Sequence, residues 1–213
     1  MLHNNSFLSI FPVSAVVLVC ALLHSSGLFA EPIPVRYPEG SVHGYLALRS
    51  LDGNLLAAGD LVQTVRGEQL KSRLVYRFKD GSVDDETAVF TQRGHFRLIS
   101  DHHVQRGPMF PKPIDVTIRA TTGEVTVGYQ EKDQEKVETS HVDLPADLAN
   151  GILLNVLKNV LPNDKETKIS YLATSPKPKL IQLSIQPEGQ DTFSSAGRPN
   201  KALRFKVHVE LGL

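Results

Sequence analysis

Apolar and polar residues alternate with a period of two in short segments along most of this chain, which is how half-buried antiparallel strands are written. Val42 to Leu51 is the first segment, and Asp52-Gly53-Asn54 turns it into Leu55 to Val65, where Gly59-Asp60 predicts a bulge or bend. Gln69 to Phe78 places Leu74, Tyr76 and Phe78 on one face. Lys79-Asp80-Gly81-Ser82 then predicts a two-residue hairpin turn into Val83 to Gln92, because Asp-Gly favours positive φ. Arg93-Gly94 leads into His95 to Gln105, after which the proline-rich loop Gly107 to Pro113 interrupts the sheet. Ile114 to Ala120, Val125 to Tyr129 and Lys136 to Leu144 continue it, and Thr167 to Ala173, Leu180 to Gln186 and Ala202 to Leu211 complete it. In the last of these, Leu203, Phe205, Val207, Val209 and Leu211 alternate with charged residues, predicting one buried and one wet face.

One stretch changes period. Leu148, Ile152, Leu153, Val156, Leu157, Val160 and Leu161 recur at helical spacing, with Pro145 and Asp147 as opening signals and Pro162-Asn163-Asp164 as the stop. Gly151 after Asn150 disfavours a helix interior, so the regular helix is expected from Gly151 or later. The fold class that follows is mainly β: a curved antiparallel sheet or half-barrel of about ten strands with one covering helix. Both architectures leave an apolar concavity that can hold an apolar ligand.

The first thirty residues contain no Asp, Glu, Lys or Arg, and Phe7 to Leu23 is an almost wholly apolar run. With Ser25-Ser26-Gly27-Leu28-Phe29-Ala30 behind it, residues 1–30 read as a signal peptide, cut after Ala30 or after Gly27. As an uncleaved anchor the run would reach about 25 Å, short of a hydrocarbon core of about 30 Å. Cys20, the only cysteine, follows Val19 inside the apolar run rather than a small residue at its end, which argues against lipidation. The mature chain then has no cysteine, no disulfide and no transmembrane span, and its expected location is periplasmic or secreted. Residues 31–213 read as one β-rich domain. An amphipathic strand running almost to the last residue is the pattern of a chain that continues further.

Lys and Arg number 23 and Asp and Glu 23, all beyond residue 30, so the net charge is zero. Strong electrostatic capture of nucleic acid is not expected. The cluster Glu131 to Lys136 mixes both signs and reads as a solvated hairpin loop. Asp84-Asp85-Glu86 lacks the spacing of a calcium loop and reads as edge-strand or turn charge. No Gly-x-Ser-x-Gly elbow, Ser-x-x-Lys pair or phosphate-cradling glycine pattern occurs, and no cofactor is implied.

Asp101-His102-His103 is the first place to look for metal or acid-base chemistry. Asp101 and His103 share a strand face, and His95, Arg97 and Ile99 join them if no bulge intervenes. A catalytic zinc needs a third ligand, which His43, His141 or His208 would have to supply. Met109 and Phe110, on the loop, and Ile152 and Val156, on the covering helix, are the candidate residues of a cavity or its mouth.

Three stretches together resemble exported bacterial proteins of the Acidobacteria type, of unknown function. They are Phe78 to Ser82 with Phe90-Thr91-Gln92, Asp101 to Pro108, and Asp143 to Gly151. The strand order is similar to the half-barrel of periplasmic lipoprotein carriers such as LolA and LolB. That resemblance implies acyl-chain binding by a curved sheet under helices, and no catalytic residues.

The leading expectation is an exported, non-enzymatic protein that binds an apolar or lipid-like ligand in a half-barrel cavity. The alternatives are an envelope scaffold docking a protein partner through a sheet edge, and a hydrolase using His103 with Asp101. A purely aliphatic cavity favours the first, an exposed apolar edge the second, and convergence of Asp101 and His103 with a third polar group in a cleft the third.

Overall fold

The computed structural model describes residues 32–131, 134–174, 177–195 and 197–210. The expected signal peptide, with Cys20 and both expected cut sites, lies outside the described residues. The strands are β1 (Val42–Arg49), β2 (Leu55–Arg66), β3 (Gln69–Phe78), β4 (Val83–Thr91), β5 (Arg97–Arg106), β6 (Ile114–Arg119), β7 (Glu124–Glu131), β8 (Gln134–His141), β9 (Thr167–Ala173), β10 (Lys179–Ser195) and β11 (Arg198–Glu210). One short helix, α1 (Leu153–Leu157), sits between β8 and β9. Strands β1 to β8 form an eight-stranded antiparallel sheet in chain order, and β11-β10-β9 a three-stranded one. The large sheet does not close: β1 and β8 are its two edges. No helix among the described residues is long and apolar enough to cross a membrane.

Local chemistry sets the registers. The β3–β4 turn is one residue longer than the expected two-residue loop, with Phe78 N–H donating to Ser82 O at 3.0 Å and Gly81 N–H to Phe78 O at 3.2 Å. Gly81 takes the left-handed position at φ 87°, and Asp80 Oδ1 accepts the Ser82 N–H at 2.9 Å. Between β4 and β5 the register shifts: Val89 faces Ser100 but Phe90 faces Leu98, so Ile99 is an extra residue. This bulge reverses the alternation, so Phe96 and Leu98 turn into the core and His95 and Arg97 stay exposed.

The core lies between the two sheets. Leu70, Phe90, Ile118 and Val125 from the large sheet meet Leu148, Ile152, Ile169, Leu172 and Ile185 from the other side, and Phe90 and Phe96 stack edge-on at 5.7 Å. Each large apolar side chain buried this way contributes about 1.5–3 kcal/mol.

The covering segment is mostly not helical, although its apolar spacing is. Leu148 and Ala149 lie against the outer edge of β9: Leu148 bridges Ser170 in parallel, and Ala149 N–H donates to Ser170 O at 3.0 Å. Asp147 and Asn150 complete that edge. Asp147 Oδ2 accepts the Ser170 N–H at 2.7 Å, Asn150 Oδ1 accepts the Leu172 N–H at 2.8 Å, and Asn150 Nδ2 donates to Leu172 O at 3.0 Å. An edge strand's free backbone groups are thereby satisfied. Gly151, at φ 67°, turns the chain into α1, which spans five residues.

At its far end the segment holds the start of the domain. Asn159 Oδ1 accepts the backbone N–H groups of Arg36 and Tyr37 at 2.7 and 2.9 Å, and its Nδ2 donates to Asn155 O at 2.8 Å. Strand β11 departs from its expected half-burial. It is the edge of the small sheet, and Leu203, Val207 and Val209 are all exposed, because only Phe205 packs against the core cluster.

Candidate functional site

Two regions between the sheets carry functional potential. The first is polar. Strand β4 is an interior strand of the large sheet, so Asp84-Asp85-Glu86 is neither an edge nor a turn, contrary to the sequence reading. Alternation sends Asp85 outward, where Arg73 grips it with two hydrogen bonds at 3.0 and 2.6 Å. Asp84 and Glu86 turn to the other face, opposite Gln105 and His103, while Asp101 stands opposite Ala88.

His103 Nε2 lies 2.8 Å from Asp84 Oδ1, and Gln105 Nε2 donates to Asp84 Oδ2 at 2.9 Å. Asp101 is 2 % exposed, and its Oδ1 is buried without a hydrogen-bond partner. Gly151 roofs this pair of strands. A Cβ there would come within 2.5 Å of Ala88 Cβ and 2.8 Å of Asp101 Oδ1.

Electrostatics follow from crowding three carboxylates around one imidazole. Burial pushes the Asp101 carboxyl well above the usual range, and the Glu86 charge adds to this. Burial also raises Glu86, partly offset by the His103 charge. For His103, burial opposes protonation, but the hydrogen bond to Asp84 and the charges of Glu86, Asp84 and Asp101 outweigh it, and the imidazole is raised. Burial and the same carboxylates raise Tyr171.

Asp101, His103, Asn150 and Tyr171 line a cleft of about 240 Å³ with Ile114 and Val116. This is a convergence of Asp101 and His103 with further polar groups, but the imidazole's partner is Asp84, which sequence reasoning assigned elsewhere. The signal was present in the alternation of β4. Reading it required knowing that β4 is interior and that β5 carries a bulge. His102 points to the other face and bonds Asp115 at 2.9 Å. The suggested third ligands do not join the cleft: His43 pairs with Asp60 at 2.6 Å, His141 lies against Gly123, and His208 is near Glu166. Among the described residues no group of three His, Cys, Asp or Glu side chains is placed to hold a metal ion.

The second region is an apolar groove of about 710 Å³, walled by Val42, Leu46 and Leu61 of β1 and β2, by Leu154 and Leu157 of α1, and by Phe205 of β11. Gln63 and Asn155 also line it, each 2 % exposed. Gln63 Nε2 donates to Ser72 Oγ at 3.3 Å, leaving Gln63 Oε1 buried and unpartnered, and Asn155 Nδ2 is likewise unpartnered. One free acceptor and one free donor therefore flank an otherwise apolar channel. The Lys158 ammonium at the rim is bound to Glu39 at 2.9 Å.

The four sequence-nominated cavity residues lie apart. Ile152 and Val156 are fully buried in the core. Phe110 stacks edge-on with Phe78 at 5.3 Å, and Met109 is exposed while its N–H donates to Ser82 Oγ at 2.8 Å. Neither loop residue lines the groove or the cleft.

No family model, curated protein or solved structure matches the chain.

Proposed function

We propose that this protein is an exported, non-enzymatic binder of a lipid-like amphiphile, held in the groove between β1–β2, α1 and β11. The observation that carries the reading is the pairing of a largely aliphatic channel with two buried, unpartnered amide atoms of opposite sense. A ligand site of ordinary size is about 300–1,000 Å³, mostly apolar, with a few placed polar groups. Leaving a buried donor or acceptor unpaired costs about 1–3 kcal/mol, which a hydroxyl, amide or protonated carboxyl head would recover. The acyl chain would lie along Val42, Leu46, Leu61 and Leu154. The apolar leader and the resemblance to lipoprotein carriers support export and an acyl ligand.

The test begins with native mass spectrometry and organic extraction of protein purified from an envelope fraction, then titration with a fluorescent fatty acid. Leu61→Arg, which puts a charge in the channel, is expected to abolish probe uptake, and Gln63→Leu with Asn155→Leu to favour an alkane over the acid. A bare polypeptide that takes up no probe would overturn the proposal.

A second reading rests on β11. Its outer edge is unpaired among the described residues, and Val209 is 55 % exposed, so strand addition by an envelope protein would cover both backbone and side chains. Protein that binds no lipid but is captured by a partner, with capture lost on Val207→Lys, would favour it.

A further inference from the structure

The β4–β5 cleft is separate from the groove and has a different chemistry. Asp101 and His103 of β5 line it, with Glu86 and Asp84 beside them on β4 across the strand pairing. Asp84 pairs with His103 at 2.8 Å, which leaves Asp101 as the carboxyl that lines the cleft without a basic partner. Among the described residues no Lys or Arg side chain lines the cleft. Its walls are aliphatic, from Ile114, Val116 and Ile118 of β6 and Leu172 and Ala173 of β9, and Tyr171 adds an aromatic ring beside the carboxylates.

A second observation points to a ligand. Asp101 lines this cleft, is 2 % exposed, and its buried Oδ1 has no hydrogen-bond partner among the described residues. Buried acceptors of this kind are nearly always satisfied in folded proteins.

We propose that the cleft is a binding site for a small alkylammonium, with the cationic head on Asp101, against the Tyr171 ring, and the alkyl tail along β6. The carboxylates do not converge in the way a bare metal ion requires. An ammonium accepts longer and looser contacts, carries up to three donors, and gains from an aromatic face. The volume of about 240 Å³ suits a tail of a few carbons.

Binding is coupled to proton release: as the ammonium docks, the carboxylic acid proton of Asp101 passes to solvent and the charge it leaves is matched by the ligand. Uptake therefore strengthens with rising pH. The titratable groups facing Asp101 are Glu86 and Asp84 from β4, His103 from β5 and Tyr171 from β9. The groups that β6 and residues 150–151 bring, Ile114, Val116, Ile118, Asn150 and Gly151, are uncharged.

The experiment is an NMR titration of the mature protein with n-butylammonium and, separately, with the isosteric alcohol butan-1-ol. Saturable shifts centred on Tyr171, His103 and Leu172 are expected with the amine, at least about tenfold weaker with the alcohol. Asp101→Asn, which preserves shape, is expected to weaken amine binding at least about tenfold, and Tyr171→Leu to weaken it severalfold. Each variant's fold is checked by its own spectrum. Equal binding of amine and alcohol, an unchanged affinity in Asp101→Asn, or no amine shifts up to about 10 mM would overturn the proposal.

Discussion

Replacing Gly151 by alanine tests whether the turn above β4 and β5 is as tightly seated as its geometry states. Two costs add. The residue sits at φ 67°, where an L side chain pays about 1–2 kcal/mol. The new Cβ would also stand 2.5 Å from Ala88 Cβ and 2.8 Å from Asp101 Oδ1, and relieving such overpacking costs about 1–3 kcal/mol. The sum, about 2–5 kcal/mol, is a large share of a total stability of about 5–15 kcal/mol. At about 2–4 °C per kcal/mol, Tm should fall by about 4–20 °C. Gly53→Ala is the control, because it has positive φ, 89°, with nothing within 4 Å of its Cβ, so it reports the backbone cost alone. Urea melts of both variants, compared at equal m, should differ by about 1–3 kcal/mol. Ala88→Gly in the Gly151→Ala background should recover part of that difference as a coupling energy. If Gly151→Ala costs no more than Gly53→Ala within about 0.5 kcal/mol, the contact does not exist and the acidic cleft has no such roof.

Asp101 and Glu86 keep their protons to higher pH in the fold than in the unfolded chain, where their ordinary values are 3.8 and 4.5. The native state therefore binds more protons above about pH 4, and stability falls as pH rises from there through the raised values, by up to about 1.4 kcal/mol per pH unit for each group. His103 acts in the same direction: its contribution is complete below its ordinary 6.5 and is lost as pH rises through the raised folded value. Asp101→Asn should thus gain stability relative to the parent between pH 4 and pH 8 in urea melts, and a flat difference would contradict the burial of that carboxyl. Phe110→Ala should cost about 1–3 kcal/mol through loss of its packing on Phe78, whereas Met109→Ala, at a side chain 46 % exposed, should stay within about 0.5 kcal/mol in the same assay. Asn159→Ala strips the acceptor from two backbone N–H groups and should cost about 2–4 kcal/mol, with limited proteolysis appearing first near Arg36 and Tyr37.

The strands were legible because alternation and turn residues are local properties. Asp52-Gly53-Asn54, Arg93-Gly94 and Thr121 to Gly123 each fall between consecutive strands of one meander. The acidic cleft was half legible. Asp101 and His103 share a face by simple period-two counting, but their partners depend on Ile99, a single inserted residue with no local mark. Asp84 and Glu86 looked like edge charges because strand position within a sheet is a property of topology. The covering segment misled for a different reason. Its apolar residues meet a core on one side at helical spacing, while Asp147 and Asn150 spend their side chains on the backbone of β9 and hold the chain against that edge rather than in a helix.

That same segment sets how the two sites have to be told apart. Asn150 lines the cleft and Gly151 packs on its Asp101, whereas Leu154, Asn155 and Leu157, a few residues on, form a wall of the apolar groove. A perturbation within residues 150–157 therefore moves both, and a loss of binding there identifies neither. The discriminating substitutions lie on the opposite sheet: Leu61 faces only the groove and Asp101 only the cleft. If acyl uptake fails in Leu61→Arg but survives in Asp101→Asn, while ammonium uptake shows the reverse, the two sites are independent in their chemistry and joined only through the shared wall.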